Sequence, residues 1–364
     1  MSDLIVVTNA EAASLEHGAA VVLRPLEAFL DDVGLGSDPL KVEAIGDGHS
    51  NLTFLLRRGT ERYVLRRPPL GELAASTNDV LREASVLEAL ASTKVPVPQV
   101  FACCEDPARI GAPFFVMSHV RGTTINDGLP SVLDTPSAPA RILAETVGAL
   151  AALHATDLDR SGLEAFGGPT GYLERQLGRF GSLLETNATR RLPDLEIVAA
   201  WLSDNLPETS EVTFVHGDYR IGNLIFGASL QLTAVLDWEM ATVGDPLADL
   251  GYCTATWAEN GDEENPMFSL SRLTATSGFP GRADVARAYA EQTGRGLEDL
   301  GWYQVLALWK SAVFLEGSYR RYHAGASSDP FFASLDRGVP ALARAARRWI
   351  ERFETEDLLR GACS

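Results

Sequence analysis

Apolar positions along this chain follow two periods in turn, and the change falls near residue 121. Residues 19–33 (AAVVLRPLEAFLDDV) have helical spacing, with Pro25 weakening the middle. Two short runs rich in β-formers follow, KVEAIGDG and NLTFLLRR, and then ERYVLRR after a turn at 57–61. Three such runs joined by short turns predict an antiparallel sheet. STNDVLREASVLEALAST predicts a helix capped by Asn78 or Asp79, with Val80, Ala84, Leu87 and Leu90 on one face. Pro96 and Pro98 stop it, and VFACCED and PFFVMSHV add two strands, the second ended by Gly122.

Beyond Gly122 the spacing is mainly helical, over 137–157, 172–187 and 193–205. Strand patterns return for 212–226 and 230–237, and from 283 onward the chain reads as helix again, including 302–322 and 336–354. The expected fold class is α+β. Residues 1–121 form a small unit with a leading helix and a five-stranded antiparallel sheet, and residues 122–364 a larger helical unit with an inserted β-hairpin. At 364 residues the chain is long enough for both.

Composition narrows the partners. The chain has 49 acidic and 31 basic residues, a formal net charge of −18, so a polyanion such as DNA is repelled and no nucleic-acid partner is expected. A nucleotide differs, because it brings Mg²⁺ and meets local positive charge. Cys103, Cys104, Cys253 and Cys363 are scattered without a CxxC pair, which suits reduced thiols in a cytoplasmic protein. The N-terminal stretch lacks the charge and apolar pattern of a signal peptide, and no apolar run approaches the ~20 residues of a membrane span, so no membrane association is expected.

The residues that carry chemistry lie between Phe214 and Tyr252, in TFVHGDYRIGNLIF and LTAVLDWEMATVGDPLADLGY. Asp218 follows a strand in a polar turn, where a carboxylate can orient an attacking hydroxyl and accept its proton. Asn223 offers a neutral carbonyl oxygen suited to Mg²⁺, and Asp237 an anionic metal ligand at the end of the next strand. Singly they read as a turn, a strand cap and a loop start. Together, around one hairpin, they point to phosphoryl transfer.

HGDYRIGN followed by LDWE resembles the aminoglycoside phosphotransferase/choline kinase family, relatives of the protein kinases, and the likeness extends over roughly residues 40–325. The resemblance implies a bilobal protein-kinase-like fold, ATP or GTP with Mg²⁺ as cofactors, and a small-molecule hydroxyl as acceptor. It makes Asp218 the catalytic aspartate and Asn223 and Asp237 the metal ligands, with His216 a brace of the catalytic loop. Asp245 and Asp249 would fix loop geometry, and Glu239 would add an outer-sphere metal contact. In the small unit it places Gly48, Ser50 and Asn51 near the phosphates. Arg66 stands where the family usually has a lysine, with Glu83 as its helix partner and Arg67 as the alternative on the opposite strand face. PFFVMSHVRG resembles the family's hinge, with Met117 against adenine and the backbone of Ser118 and Val120 bonding its edge.

GDGHSNLTFLL, YVLRRPP, LREASVLEAL, VPVPQV and GAPFFVM resemble the branch of this family found alongside or fused to acyl-CoA dehydrogenases, which implies a hydroxylated acyl or acyl-CoA acceptor. Trp302, Tyr303, Trp309, Phe314, Tyr319, Arg320 and Arg321 are either the wall of the acceptor pocket or ordinary core. An aminoglycoside acceptor would instead need carboxylates such as Glu259, Asp262, Glu263 and Glu264. A catalytically idle nucleotide-binding protein is the other alternative, with Arg66 in its favour. His154 is expected to be packed or capping, and Tyr172, Arg175 and Gln176 are candidates to face the cleft.

Overall fold

A computed structural model of the protein describes residues 5–15, 18–46, 51–70, 79–168, 170–208, 211–325 and 330–361. The chain divides into two compact units, Met1–Arg121 with Ala234–Glu239, and Gly122–Thr233 with Met240–Ser364. The short excursion 234–239 into the first unit has no counterpart in the sequence reading, which assigned all of 122–364 to the second.

The first unit opens with α1 (Leu23–Asp32). The helix expected from residue 19 begins four residues later, because Val21–Val22 is extended and pairs in parallel with Ile5–Val6. Pro25 therefore falls in the first turn, where an N–H has no intrahelical acceptor in any case, so it does not weaken the helix. The sheet consists of β1 (Leu40–Ile45), β2 (Leu52–Arg58), β3 (Glu61–Arg67), β4 (Val100–Cys104) and β5 (Phe114–Ser118), all neighbours antiparallel, in the order β1-β2-β3-β5-β4. Between β3 and β4 lies α2 (Val80–Leu90), whose first turn is capped by the Asp79 carboxylate accepting the Arg82 N–H at 3.0 Å. One side of the sheet packs Phe54, Leu56, Leu65, Phe114 and Val116 against Leu26, Phe29 and Leu30 of α1, with Phe29 edge-on to Phe114. Alternation along β3 sends Arg66 and Arg67 to opposite faces.

The second unit is built from α3 (Ala138–His154), α4 (Tyr172–Asn187), α5 (Pro193–Asp204), α6 (Pro246–Thr256), α7 (Arg282–Thr293), α8 (Leu300–His323) and α9 (Pro330–Gly361). Helix α8 is its axis and packs against α4, α5, α6 and α9. Trp302, Tyr303 and Trp309 are buried there with Val305, Leu308, Ala312 and Val313, so these aromatics are core. Phe314 points the other way and is 52% exposed.

The short strands are β6 (Thr123–Thr124), β7 (Thr213–Val215), β8 (Leu224–Phe226), β9 (Leu232–Val235) and β10 (Thr242–Gly244). β7 pairs with β10 and β8 with β6, both antiparallel. The expected strand over 212–226 is thus two strands separated by the HGDYR loop and a 3₁₀ turn, Ile221–Asn223. Among the described residues no helix is long and apolar enough to cross a membrane.

Candidate active site

Strand β7 delivers the chain into the loop that carries Asp218. Gly217 has φ +84°, and a Cβ there would lie 2.7 Å from the Met240 carbonyl oxygen, so the turn requires glycine. The loop is held from beneath by Asp249 on α6, a fully buried carboxylate. It accepts the backbone N–H of His216 at 2.6 Å and of Gly217 at 2.7 Å. His154 Nε2 lies 3.3 Å from the same carboxylate, and His154 Nδ1 is 2.7 Å from the Tyr289 hydroxyl. The two ring nitrogens of His154 thus link Asp249 to Tyr289. Burial works against ionisation of Asp249, but His154, His216 and the loop N–H groups outweigh it and hold the carboxyl below the usual carboxylate range. Asp245 accepts the Leu247 N–H and the Tyr303 hydroxyl, both at 2.8 Å, fixing the start of α6. His216 is itself buried, and its Nδ1 accepts the Asp218 N–H at 3.2 Å.

On this support, Asn223 Nδ2 donates to both the backbone oxygen and Oδ2 of Asp218, each at 2.9 Å. Asp218 Oδ1 accepts no hydrogen bond; the Arg220 Nε is 3.5 Å away. Asn223 points its nitrogen at Asp218 and keeps its own oxygen for another partner. Nearby, burial and then the Asp218 charge push the Tyr252 hydroxyl well above its ordinary range, while the Ser311 hydroxyl beside it works the other way.

The second cluster lies within the first unit. Arg66 Nε is 2.8 Å from Glu83 Oε2, its Nη2 donates to Asp237 Oδ1 at 2.5 Å, and Glu239 Oε2 is 3.9 Å away. Burial lowers the basicity of Arg66, yet the three carboxylates together raise it above its ordinary value. Glu83 is raised, chiefly by burial and despite Arg66, since Asp237 and Glu239 compete for the same guanidinium. Asp237 has φ +69°, a left-handed conformation that a non-glycine residue adopts where the surroundings enforce it. Asn51 Nδ2 donates to Glu239 Oε2 at 2.9 Å, and its buried Oδ1 accepts nothing. Asp237 and Glu239 thus share one guanidinium with the raised Glu83. No group of three or more acidic, His or Cys residues forms a complete cage among the described residues.

Arg67 is excluded from this chemistry: its Nη1 donates to the carbonyls of Ala19, Ala20 and Ile110, and its Nε to that of Pro68. Met117 is buried in β5, and Val120 follows half-buried. The Ser118 N–H donates to Gln99 O at 2.8 Å and its hydroxyl accepts the Gln99 N–H at 2.9 Å, so that N–H is already committed. Gly48 and Ser50 lie outside the described residues.

The acceptor candidates fare differently. Arg320 donates to the Thr186 carbonyl and Arg321 to the Ser318 hydroxyl. Tyr172 is buried with its ring against Gly244, and Arg175 is spent on the carbonyls of Gly168 and Thr170. Gln176 is half-buried on α4. Every carboxylate of the 259–264 loop has an arginine: Arg282 for Glu259 and Asp262, Arg348 for Glu263, Arg272 for Glu264. Those four acids share three arginines of their own unit. The sequence reading missed the link from Tyr289 through His154 to Asp249, and the Asn51–Glu239 bond. Their partners lie 95 to 188 residues apart and leave no local signature.

Residues 41–306 match the phosphotransferase enzyme family, and the chain belongs to it. It is 33% identical over 327 residues to acyl-CoA dehydrogenase family member 11 of Rattus norvegicus, covering 86% of this chain and 41% of that protein. The chain thus spans about two fifths of the length of the curated relative. A structure from Ralstonia eutropha JMP134, provisionally assigned as an aminoglycoside phosphotransferase, superposes with a TM-score of 0.75 at 29% identity, over 90% of this chain and 98% of that one. A thermostable aminoglycoside phosphotransferase mutant, solved in ternary complex with ADP and hygromycin B, shares the fold at a TM-score of 0.55 and 17% identity, covering 89% and 98%. The α+β, protein-kinase-like fold expected from the sequence is the fold of this chain.

Proposed function

We propose that this chain transfers the γ-phosphoryl group of ATP or GTP, with Mg²⁺, to the hydroxyl of a small molecule, a hydroxyacyl-CoA or related hydroxylated metabolite. The observation that carries the reading is the state of Asp218: Asn223 holds one carboxylate oxygen, while the other has the Arg220 Nε 3.5 Å away as its charged neighbour. That oxygen orients the acceptor hydroxyl and takes its proton as the oxygen–phosphorus bond forms and the bond to the leaving nucleoside diphosphate breaks. Asn223 and Asp237 would hold Mg²⁺, which supplies charge neutralisation at the phosphates. Arg66, kept charged by its acidic neighbours and steadied by Glu83, binds phosphate oxygens, and Asn51, with Gly48 and Ser50, takes part at the phosphate turn. Met117 and Val120, with Ser118 through its backbone carbonyl and not its N–H, contribute the nucleobase contacts. In this reading residues 1–121 bind nucleotide and residues 122–364 carry catalysis and the acceptor.

The family membership supports transfer chemistry, and the similarity to an acyl-CoA dehydrogenase family member supports an acyl-type acceptor over an antibiotic. So does the pairing of every carboxylate in the 259–264 loop. The test is phosphoryl transfer from labelled ATP and GTP to hydroxyacyl-CoAs, free hydroxy acids and aminoglycosides. Wild type should phosphorylate an acyl-type acceptor, and Asp218→Asn should lower turnover by about 10²–10⁴-fold. Undiminished turnover in Asp218→Asn sinks the mechanism, and transfer to aminoglycosides alone sinks the substrate class.

A further inference from the structure

Two cations of the second unit, Lys310 and the solvent-exposed Arg179, lie by one aromatic ring. Lys310, on α8, places its ammonium 4.9 Å from the centre of the Phe180 ring. Arg179, on α4, places its guanidinium carbon 5.9 Å from the same centre. Neither has a hydrogen bond or an ion pair among the described residues. A third donor joins them: Trp309, whose ring centre is 6.3 Å from that of Phe180, has a buried indole N–H with no acceptor. Neighbouring arginines, by contrast, are engaged, Arg175 with the carbonyls of Gly168 and Thr170 and Arg320 with that of Thr186.

The position along α8 connects this cluster to the chemistry. Lys310 adjoins Ser311, whose hydroxyl, like the Asp218 carboxylate, acts on the buried Tyr252 hydroxyl. An ammonium packed over an aromatic face gains from the ring quadrupole, but a second cation at the same ring opposes it. Burial and Arg179 pull Lys310 down to about 8, and the charges of Asp249 and Asp218 only partly restore it. An anion within reach of both cations relieves this repulsion and supplies the acceptor that the two cations lack.

We propose that Lys310 and Arg179 recognise an anionic group on the phosphoryl acceptor, a carboxylate or a phosphate, so that the substrate is a hydroxylated anion. The inference rests on the phosphotransferase reading and refines its acceptor. It is tested by binding, which needs no turnover: calorimetric titration of free hydroxy acids, hydroxyacyl-pantetheines, hydroxyacyl-CoAs and an aminoglycoside into wild type, Lys310→Gln, Arg179→Gln and Lys310→Arg. Each variant is first checked for an unchanged melting profile.

At least one anionic ligand should bind wild type and weaken tenfold or more in both glutamine variants, with Lys310→Arg retaining most of the affinity. Binding should also fall as pH rises through about 8, where Lys310 loses its proton. Weakening confined to the free acids identifies a carboxylate, and weakening confined to the CoA thioesters identifies a CoA phosphate. Affinities within twofold of wild type in both glutamine variants overturn the proposal, as does tighter binding of the aminoglycoside than of every anion. If Asp218→Asn still turns over normally while anion binding behaves as stated, the catalytic reading fails and the anion site stands.

Discussion

Asp249→Asn is the substitution that most directly probes how the catalytic loop is held. The side chain keeps its shape and loses its charge. The wild-type carboxylate accepts two backbone N–H groups on different oxygens, His216 at 2.6 Å and Gly217 at 2.7 Å. An amide offers one oxygen and one NH₂, so one loop N–H must face a donor. A buried donor without its acceptor costs about 1–3 kcal/mol, and the surviving bond drops from charge-assisted to neutral, a loss of about 1 kcal/mol. Relief of the carboxylate's burial offsets part of this, which leaves a net destabilisation of about 1–3 kcal/mol.

For a unit of about 240 residues that corresponds to a fall of roughly 2–12 °C in melting temperature. Tryptophan fluorescence is a suitable readout, because Trp238 alone of the six tryptophans belongs to the first unit. The pH dependence has a definite sign. The folded Asp249 carboxyl titrates below its unfolded value, so its stabilisation is fully present above the ordinary carboxylate range and is lost as pH falls through the folded value. The gap between wild type and variant should be constant from about pH 5 to 7 and narrow below about pH 4. A variant melting within 1 °C of wild type, or a gap unchanged down to about pH 3, refutes the account.

Two further substitutions test other parts of the framework. Gly217→Ala forces a left-handed φ on alanine and drives its Cβ to 2.7 Å from the Met240 carbonyl, so it should cost about 2 kcal/mol or more and depress turnover, read by thermal melting and steady-state kinetics. Arg66→Ala leaves Glu83 buried without its cation, and should destabilise the first unit by about 3–5 kcal/mol while Arg66→Lys recovers most of it, measured by denaturant titration followed at Trp238 in variants lacking the other tryptophans.

The sheet of the first unit was legible because period-two runs and short turns specify antiparallel neighbours with little help from elsewhere. The choice of Arg66 over Arg67 was legible for the same reason, since adjacent strand residues face opposite ways and only one can meet Glu83. Pro25 was misjudged because the true helix start depends on Val21–Val22 being drawn into a strand pair, a tertiary event. The aromatics of α8 were ambiguous because helical spacing marks a buried face without saying what buries it; four neighbouring helices do, and Trp302, Tyr303, Trp309 and Tyr319 are core while Phe314 is exposed. The acidic loop at 259–264 looked available for amines because its arginine partners, Arg272, Arg282 and Arg348, come later in the chain and carry no pairing signal. Of the loop around Asp218, the sequence showed the candidate residues and, through the family resemblance, Asp249 as a brace, but not His154 and Tyr289, which reach Asp249 from distant parts of the chain.

The excursion of residues 234–239 into the first unit bears on how this protein can be inherited and dissected. A break at residue 121 looks like a natural seam, yet it would produce an N-terminal fragment holding Arg66 and Glu83 without Asp237 or Glu239. Asn51 would lose the carboxylate that takes its amide hydrogens. The two units therefore cannot be shuffled between relatives as separate cassettes, and a chimera joined at 121 works only if six residues from the middle of the other half travel with the first. Exchange of acceptor specificity is better sought by grafting within α4 and α8, where both ends of the graft stay inside one unit.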